Sequence, residues 1–244
     1  MVTIVAVHGN GGSADRFGRV VPFVPRPTRL VAVTLPGFGG RPLPPGRLSL
    51  AGFAEALGDA VATASRPRVV LGHGIGGSIA LELARLQPCA MDGLILHAPV
   101  GARLGFRAFP RLMRLPGALR VGRALFTTRA LRRFWVSRVF TAGVSSRGID
   151  WFFDDYDRCT AFGLMFELIT ADWFESLTPL SVPLSLLWGE RDRVLDASQV
   201  DSYRRIAPNA IIRVIPRWDH FPMIDSPAAY ADVISSLARE LTGA

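Results

Sequence analysis

The stretch Arg68-Val69-Val70-Leu71-Gly72-His73-Gly74-Ile75-Gly76-Gly77-Ser78-Ile79 decides the fold. A short β-branched and aliphatic run, Arg68–Gly72, passes without a linker into a helical pattern over Gly76–Leu86. Glycines at 72, 76 and 77 remove the side chains that would collide where a strand turns sharply into a helix. Working outward, apolar runs at Thr3–Val7, Leu30–Leu35, Gly93–His97, Leu184–Trp188 and Ile211–Ile215 read as further strands. Helical patterns fill Ser13–Val21, Ser49–Ala64, Asp196–Ile206 and Ser226–Leu241. Strands alternating with helices predict an α/β fold: a mostly parallel open sheet of about six or more strands with helices on both faces. Such sheets bind ligands at the carboxyl ends of their strands, so the residues after each strand carry the functional signal.

Strand one ends in His8-Gly9-Asn10-Gly11-Gly12, a glycine-rich turn whose backbone N–H groups can hold a phosphate or an oxyanion. As a dinucleotide fingerprint it fails, because Gly9-Asn10-Gly11-Gly12-Ser13-Ala14 has the wrong last residue and no acid follows the second strand. The second strand ends in Thr34-Leu35-Pro36-Gly37-Phe38-Gly39-Gly40, a rigid turn. The fifth leads into Trp188-Gly189-Glu190-Arg191-Asp192-Arg193-Val194 and the sixth into Trp218-Asp219-His220-Phe221-Pro222, an acid and a histidine in that order.

Together these five segments resemble the α/β-hydrolase superfamily over the chain from His8 to His220. The first is similar to that family's oxyanion loop, the second to its proline-glycine turn, and Gly72–Gly77 to its nucleophile elbow. The last two resemble its acid-bearing turn and histidine loop. The resemblance implies that His220 is the base and Asp192 the acid that fixes its tautomer. It implies oxyanion donors in the backbone N–H groups of Ile75 and of Asn10 or Gly11. His73 occupies a position commonly histidine in the family, where it serves structure beside the substrate site. The departure is Gly74, which stands where the family has its nucleophile. Glycine adopts the strained elbow dihedrals easily but offers no side chain.

No substitute nucleophile is evident. Ser78 lies one turn into the helix as a packing residue, Ser13 reads as a helix cap, and Cys89 comes too late in the chain. His8 reads as tying down its own loop, His97 as lid hinge or pocket wall, and Glu190 and Asp219 as surface acids. Three readings of the site follow. The first is an acyl ester or thioester hydrolase-type enzyme whose nucleophile position holds Gly74. The second is a non-hydrolytic acid–base enzyme (lyase, cyclase, isomerase or cofactor-independent oxygenase) that uses His220. The third is a pseudoenzyme that binds a small acyl ligand.

The charge sharpens the domain plan. All 28 basic residues are Arg, so lysine Schiff-base and P-loop chemistry are excluded. Gly93–Ile149 holds eleven Arg and no acid, and Asp150–Glu175 then reverses sign. That step predicts an inserted helical, arginine-rich lid over 99–178, with two or three helices in Arg107–Phe140, between hydrolase-core segments 1–98 and 179–244. Cationic and apolar side chains interleave in the lid, which suits a small acyl or hydrophobic substrate and an acyl carrier protein or another anionic partner. Nucleic acid is not expected, since no recognised binding motif accompanies the charge. The two cysteines form no CxxC or Cys/His cluster, so neither disulfide nor zinc is expected and both read as core residues. No cofactor is called for. No apolar run reaches the roughly 20 residues of a membrane span and no secretory leader is visible, so a cytoplasmic location is expected.

Overall fold

Six strands form one sheet in the order β2-β1-β3-β4-β5-β6, with every pairing parallel. They are β1 (Val2–Val7), β2 (Thr28–Val33), β3 (Arg68–His73), β4 (Gly93–His97), β5 (Leu184–Gly189) and β6 (Ile211–Ile215). The computed structural model describes residues 1–46, 48–104, 112, 115–140, 144–145 and 147–244. Strands β1, β4 and β5 are buried along their whole length, which is why they read as unbroken apolar runs. The chain reverses its direction of travel across the sheet between β1 and β3, so a crevice opens beyond their carboxyl ends.

Helices α1 (Leu50–Ala62) and α2 (Ile75–Leu86) follow β2 and β3. Between β4 and β5 lie α3 (Ala118–Thr127), α4 (Arg132–Val139), α5 (Asp150–Asp157), α6 (Leu164–Leu168) and α7 (Ala171–Glu175). The C-terminal part adds α8 (Val200–Tyr203), α9 (Pro222–Asp225) and α10 (Pro227–Thr242). Side-chain alternation along the strands builds two cores. Val5, Val7, Val70, Leu94, Leu96 and Leu186 pack with α1 and α2, whereas Ile4, Ala6, Val69, Leu71, Ile95 and Leu187 pack with α10.

Two expected helices are shorter than their patterns. Ser13–Val21 resolves into 3-10 turns at Ala14–Phe17 and Val21–Phe23, with Gly18 closing the first and Pro22 inside the second. Asp196–Ile206 becomes a 3-10 turn, Ala197–Gln199, followed by the single turn of α8. Of the Arg107–Phe140 region, α3 and α4 are formed, while 107–111 and 113–114 lie outside the described residues. Cys159 is buried as expected, but Cys89 is exposed, because it sits on a surface 3-10 turn, Pro88–Ala90, beyond the end of α2.

The helical segment between β4 and β5 is fastened to the body and to itself by polar contacts. The buried Arg132 guanidinium of α4 bridges Asp150 and Asp154 of α5, at 2.5 Å each. Trp173 Nε1 of α7 donates to Glu82 Oε2 of α2 at 3.1 Å. Arg205, just past α8, donates to the carbonyls of Leu177 and Phe174.

Candidate active site

The strand-to-helix turn is built on backbone contact. A Cβ on Gly72 would lie 2.6 Å from the Gly76 carbonyl oxygen, and one on Gly76 would lie 2.5 Å from that of His8. With hydrogen at both positions, the first turn of α2 presses on the end of β1, so the loop after β1 and the turn after β3 share one crevice. Gly74 sits between them with φ 55° and ψ −120°, a conformation L side chains resist. Its N–H donates to His97 O at 3.0 Å, and its own carbonyl accepts from Gly77 and Val100 N–H.

His220 and Asp192 arrive from the ends of β6 and β5. His220 Nδ1 donates to Asp192 Oδ2 at 2.7 Å, and Asp192 Oδ1 accepts the N–H groups of Val194 (2.8 Å) and Leu195 (2.7 Å). Both carboxylate oxygens are therefore occupied, and the imidazole is oriented with Nε2 free of that pair. A Cβ placed on Gly74 would lie 4.0 Å from His220 Nε2 and 3.4 Å from Gly9 Cα, so the ring faces the elbow position at side-chain distance. His73 Nε2 donates to the backbone carbonyl of His220 at 3.0 Å, which fixes the histidine loop against β3.

The backbone donors fall as follows. Ile75 opens α2, where a helix N–H has no partner within the helix. The first loop offers the N–H groups of Asn10 and Gly11 beside the same crevice. Burial raises the Cys159 thiol to about 11, so it stays protonated and inert. The Asn10 side chain reaches across to donate to Phe162 O at 3.1 Å.

The other singled-out residues separate cleanly. Ser78 Oγ is buried and donates to Val100 O at 2.6 Å. Ser13 caps the following turn through Asp15 N–H and donates to Asp155 Oδ2 at 3.0 Å. His8 ties its loop to the second, its Nε2 accepting Leu35 N–H and its Nδ1 facing Gly9 O. His97 lines no part of the cavity; it is fully buried and bonded through Nδ1 to the Tyr230 hydroxyl of α10. Glu190 is exposed, but Asp219 is buried, and its Oδ1 accepts the Phe221 N–H within the histidine loop. Arg16 and Tyr156, not singled out by any sequence motif, also line the site. No sequence signal marks them, since they meet it from segments 140 residues apart.

A cavity of about 650 Å³ joins these elements. Gly9, Asn10, His73, Gly74, Ile75 and His220 form one wall, and apolar residues of the β4–β5 segment, among them Phe126, Trp135, Met165 and Ile169, form another. Among the described residues no His, Cys, Asp or Glu cluster suits a metal ion, and no helix is long and apolar enough to cross a membrane.

Three histidines are held neutral by burial. His8 is lowered to about 4, and His73 and His97 fall well below the usual range, each mainly by desolvation. In the unfolded chain they titrate near the ordinary value, so the unfolded state binds more protons between about pH 6.5 and 4 and stability falls as pH falls through that window. His8 alone accounts for about 2 kcal/mol between pH 7 and 5. Thermal midpoints measured across this range should drop steeply, and a flat profile would show that these rings are solvated.

A sequence profile described as "Alpha/beta hydrolase family" matches residues 4–233. An uncharacterized protein of Mycobacterium tuberculosis is 24% identical, the alignment covering 95% of this chain and 73% of that one. A pimeloyl-[acyl-carrier protein] methyl ester esterase of Neisseria meningitidis is 26% identical over 93% of this chain and 90% of its own. The human monoacylglycerol lipase is 22% identical over 95% and 74%. Among solved structures, a putative lipase of Acinetobacter baumannii superposes with a TM-score of 0.79 at 20% identity, covering 98% of this chain and 84% of that one. An esterase of Exiguobacterium antarcticum gives 0.77 at 16% identity over 98% and 92%.

Proposed function

The chain belongs to the alpha/beta hydrolase family, and on that premise we propose that it hydrolyses an acyl ester or thioester without a covalent enzyme intermediate. The reading is carried by one distance: the Cβ position at Gly74 lies 4.0 Å from His220 Nε2, so the space a nucleophilic side chain would fill is matched to the base. Water held there loses a proton to Nε2 while its oxygen attacks the acyl carbon. Asp192 stabilises the resulting imidazolium. The backbone N–H groups of Ile75 and of Asn10 or Gly11 receive the oxyanion, and they need no particular side chain at 74. On collapse the C–O or C–S bond breaks, and the leaving alkoxide or thiolate takes the proton back from Nε2. General base action supplies about 10²–10⁴-fold, and each oxyanion donor about 10²–10³-fold.

The segment 99–178 serves as the lid, its apolar inner wall receiving the acyl group. The relative named for a pimeloyl-acyl-carrier-protein ester, and the eleven arginines in 93–149, support offering carrier-borne acyl groups as substrates. A non-hydrolytic acid–base reaction is the second reading, favoured by the same open approach from Nε2 to the cavity. The test is turnover of p-nitrophenyl and carrier-borne acyl esters in water enriched in ¹⁸O. Release of acid that carries solvent oxygen, with no acyl-enzyme burst and no fluorophosphonate labelling, is the expected result. Product without solvent oxygen would replace hydrolysis by the second reading, and no turnover with any acyl substrate would leave a binding protein.

A further inference from the structure

Helix α3 is apolar on two sides. Inward, the Phe126 ring lies 4.5 Å from that of Tyr156 and 5.2 Å from that of Phe153, and Arg123 donates to the Asp157 carbonyl of α5. A helix packed on one face is ordinarily polar on the other. Here the outer side carries Val121, 59% exposed, and, one turn on, Leu125, 49% exposed. Helix α4 continues this surface. Trp135 Nε1 donates to Leu125 O at 3.0 Å, which holds the two helices together, and its neighbour Phe134 is 48% exposed. Leu112 and Leu115, also exposed, precede α3. Five of the eleven large apolar side chains exposed among the described residues therefore fall within 112–134, a concentration that single scattered residues do not explain.

The same surface is cationic. Gly93–Ile149 contains no acid, so any opposing charge has to come from later elements. Asp150 and Asp154 are taken up by Arg132, and Glu167 shares a surface depression with Arg120. Asp157 lies beside Arg123, and Asp172 borders the cavity from α7. Arg129, Arg133 and Arg138 are exposed and form no ion pair among the described residues, and Arg138 sits 4.9 Å over the Phe134 ring. Three unpaired positive charges thus stand beside the exposed apolar side chains of α3 and α4.

An acidic protein would pair those arginines but leave the apolar side chains in water. An apolar protein face would bury the charges without partners. A lipid surface accepts both, since apolar side chains enter the boundary between headgroups and acyl chains while guanidinium groups stay at the phosphates. We propose that the outer face of α3 and α4 docks the protein on a bilayer that carries anionic lipid, with Val121, Leu125 and Phe134 inserted and Arg129, Arg133 and Arg138 at the phosphates. Leu125 and Trp135 also line the cavity, so the docked face is continuous with the cavity wall. The proposal goes beyond the hydrolytic reading and does not rest on it, because no step at Gly74 or His220 enters it.

The test is cosedimentation with vesicles of phosphatidylcholine alone and of an equimolar mixture with phosphatidylglycerol. Each guanidinium at an anionic surface contributes about fivefold. Wild type should therefore partition at least tenfold more strongly to the mixture, and less so as salt rises from low to physiological strength. The triple variant Arg129→Gln/Arg133→Gln/Arg138→Gln should reduce that preference to within about twofold. Val121→Ser/Phe134→Ser should weaken binding to the mixture at least threefold while the preference for anionic lipid persists. Equal partitioning to both vesicles, binding to neither, or binding undiminished in either variant overturns the proposal. So does a dimer that Val121→Ser/Phe134→Ser dissociates, which would assign the apolar face to a second copy, or acyl carrier protein bound through the three arginines when vesicles are not. If a variant does not fold, hydrogen exchange on wild type decides: vesicles should protect amides within 118–139, and protection confined to other segments overturns the docking face. Vesicle binding without ester turnover would overturn the hydrolytic reading and leave the docking face standing.

Discussion

Gly74→Ser converts the protein from one that fluorophosphonates do not label to one that they label stoichiometrically, and hydrolysis of p-nitrophenyl esters acquires an acyl-enzyme burst. The expectation follows from space and from the base. A Cβ at 74 meets Gly9 Cα at 3.4 Å, an ordinary contact, and points at His220 Nε2 from 4.0 Å, so a serine Oγ one bond further comes within hydrogen-bonding reach of the ring. The base is already oriented by Asp192, and the candidate backbone donors at Ile75 and at Asn10 or Gly11 do not depend on residue 74. Reactivity appears against a stability cost. An L residue at φ 55° is strained by about 1–3 kcal/mol, which lowers the thermal midpoint by several degrees. A folded Gly74→Ser variant that neither labels nor shows a burst would mean that Nε2 is not presented to position 74 and would remove the basis of the proposed reaction.

His220→Ala should lower turnover of the preferred ester by about 10²–10⁴-fold while leaving the protein folded. The two effects are separable because the histidine loop is held by backbone: the His220 carbonyl accepts from His73, and Asp219 Oδ1 accepts from Phe221 N–H. Asp192 Oδ1 keeps the N–H groups of Val194 and Leu195, while the buried Oδ2 gives up its imidazole partner, so a stability loss of about 1–3 kcal/mol accompanies the loss of turnover. Kinetics and thermal denaturation on the same preparation check both halves. Full turnover retained in this variant would exclude His220 as the base. Combined with Gly74→Ser, the substitution should also abolish the acquired labelling, since a serine without its base is a poor nucleophile.

Much of this was readable from the chain, for definable reasons. Strands buried on both faces leave continuous apolar runs, and their ends carry short glycine-rich or acid- and histidine-bearing turns whose geometry is local. Hence β1, β3 and β5, the Gly72–Gly77 turn and the positions of Asp192 and His220 could be placed without coordinates. What depends on distant segments meeting could not. The 3-10 turns after β1 look helical because Phe17, Val20 and Val21 are suitably spaced, but Gly18 and Pro22 interrupt them. Asp219 is buried with its carboxylate held by the Phe221 N–H, a loop geometry that no periodicity encodes. Arg16 reads as one more solvated arginine until Phe152 and Asp155 close over it from another part of the chain.

The exposure of Cys89 gives the molecule a single chemical handle. Lysine is absent and the other cysteine is buried, so among described side chains a thiol-directed reagent meets one accessible sulfur and an amine-directed reagent meets none. Helix α2 starts at the Gly74 turn and Cys89 lies just past its far end, about 18 Å of helix away. A fluorophore or surface linker attached there leaves the cavity mouth clear, so ligand titrations and immobilised turnover assays can be run on the unaltered site.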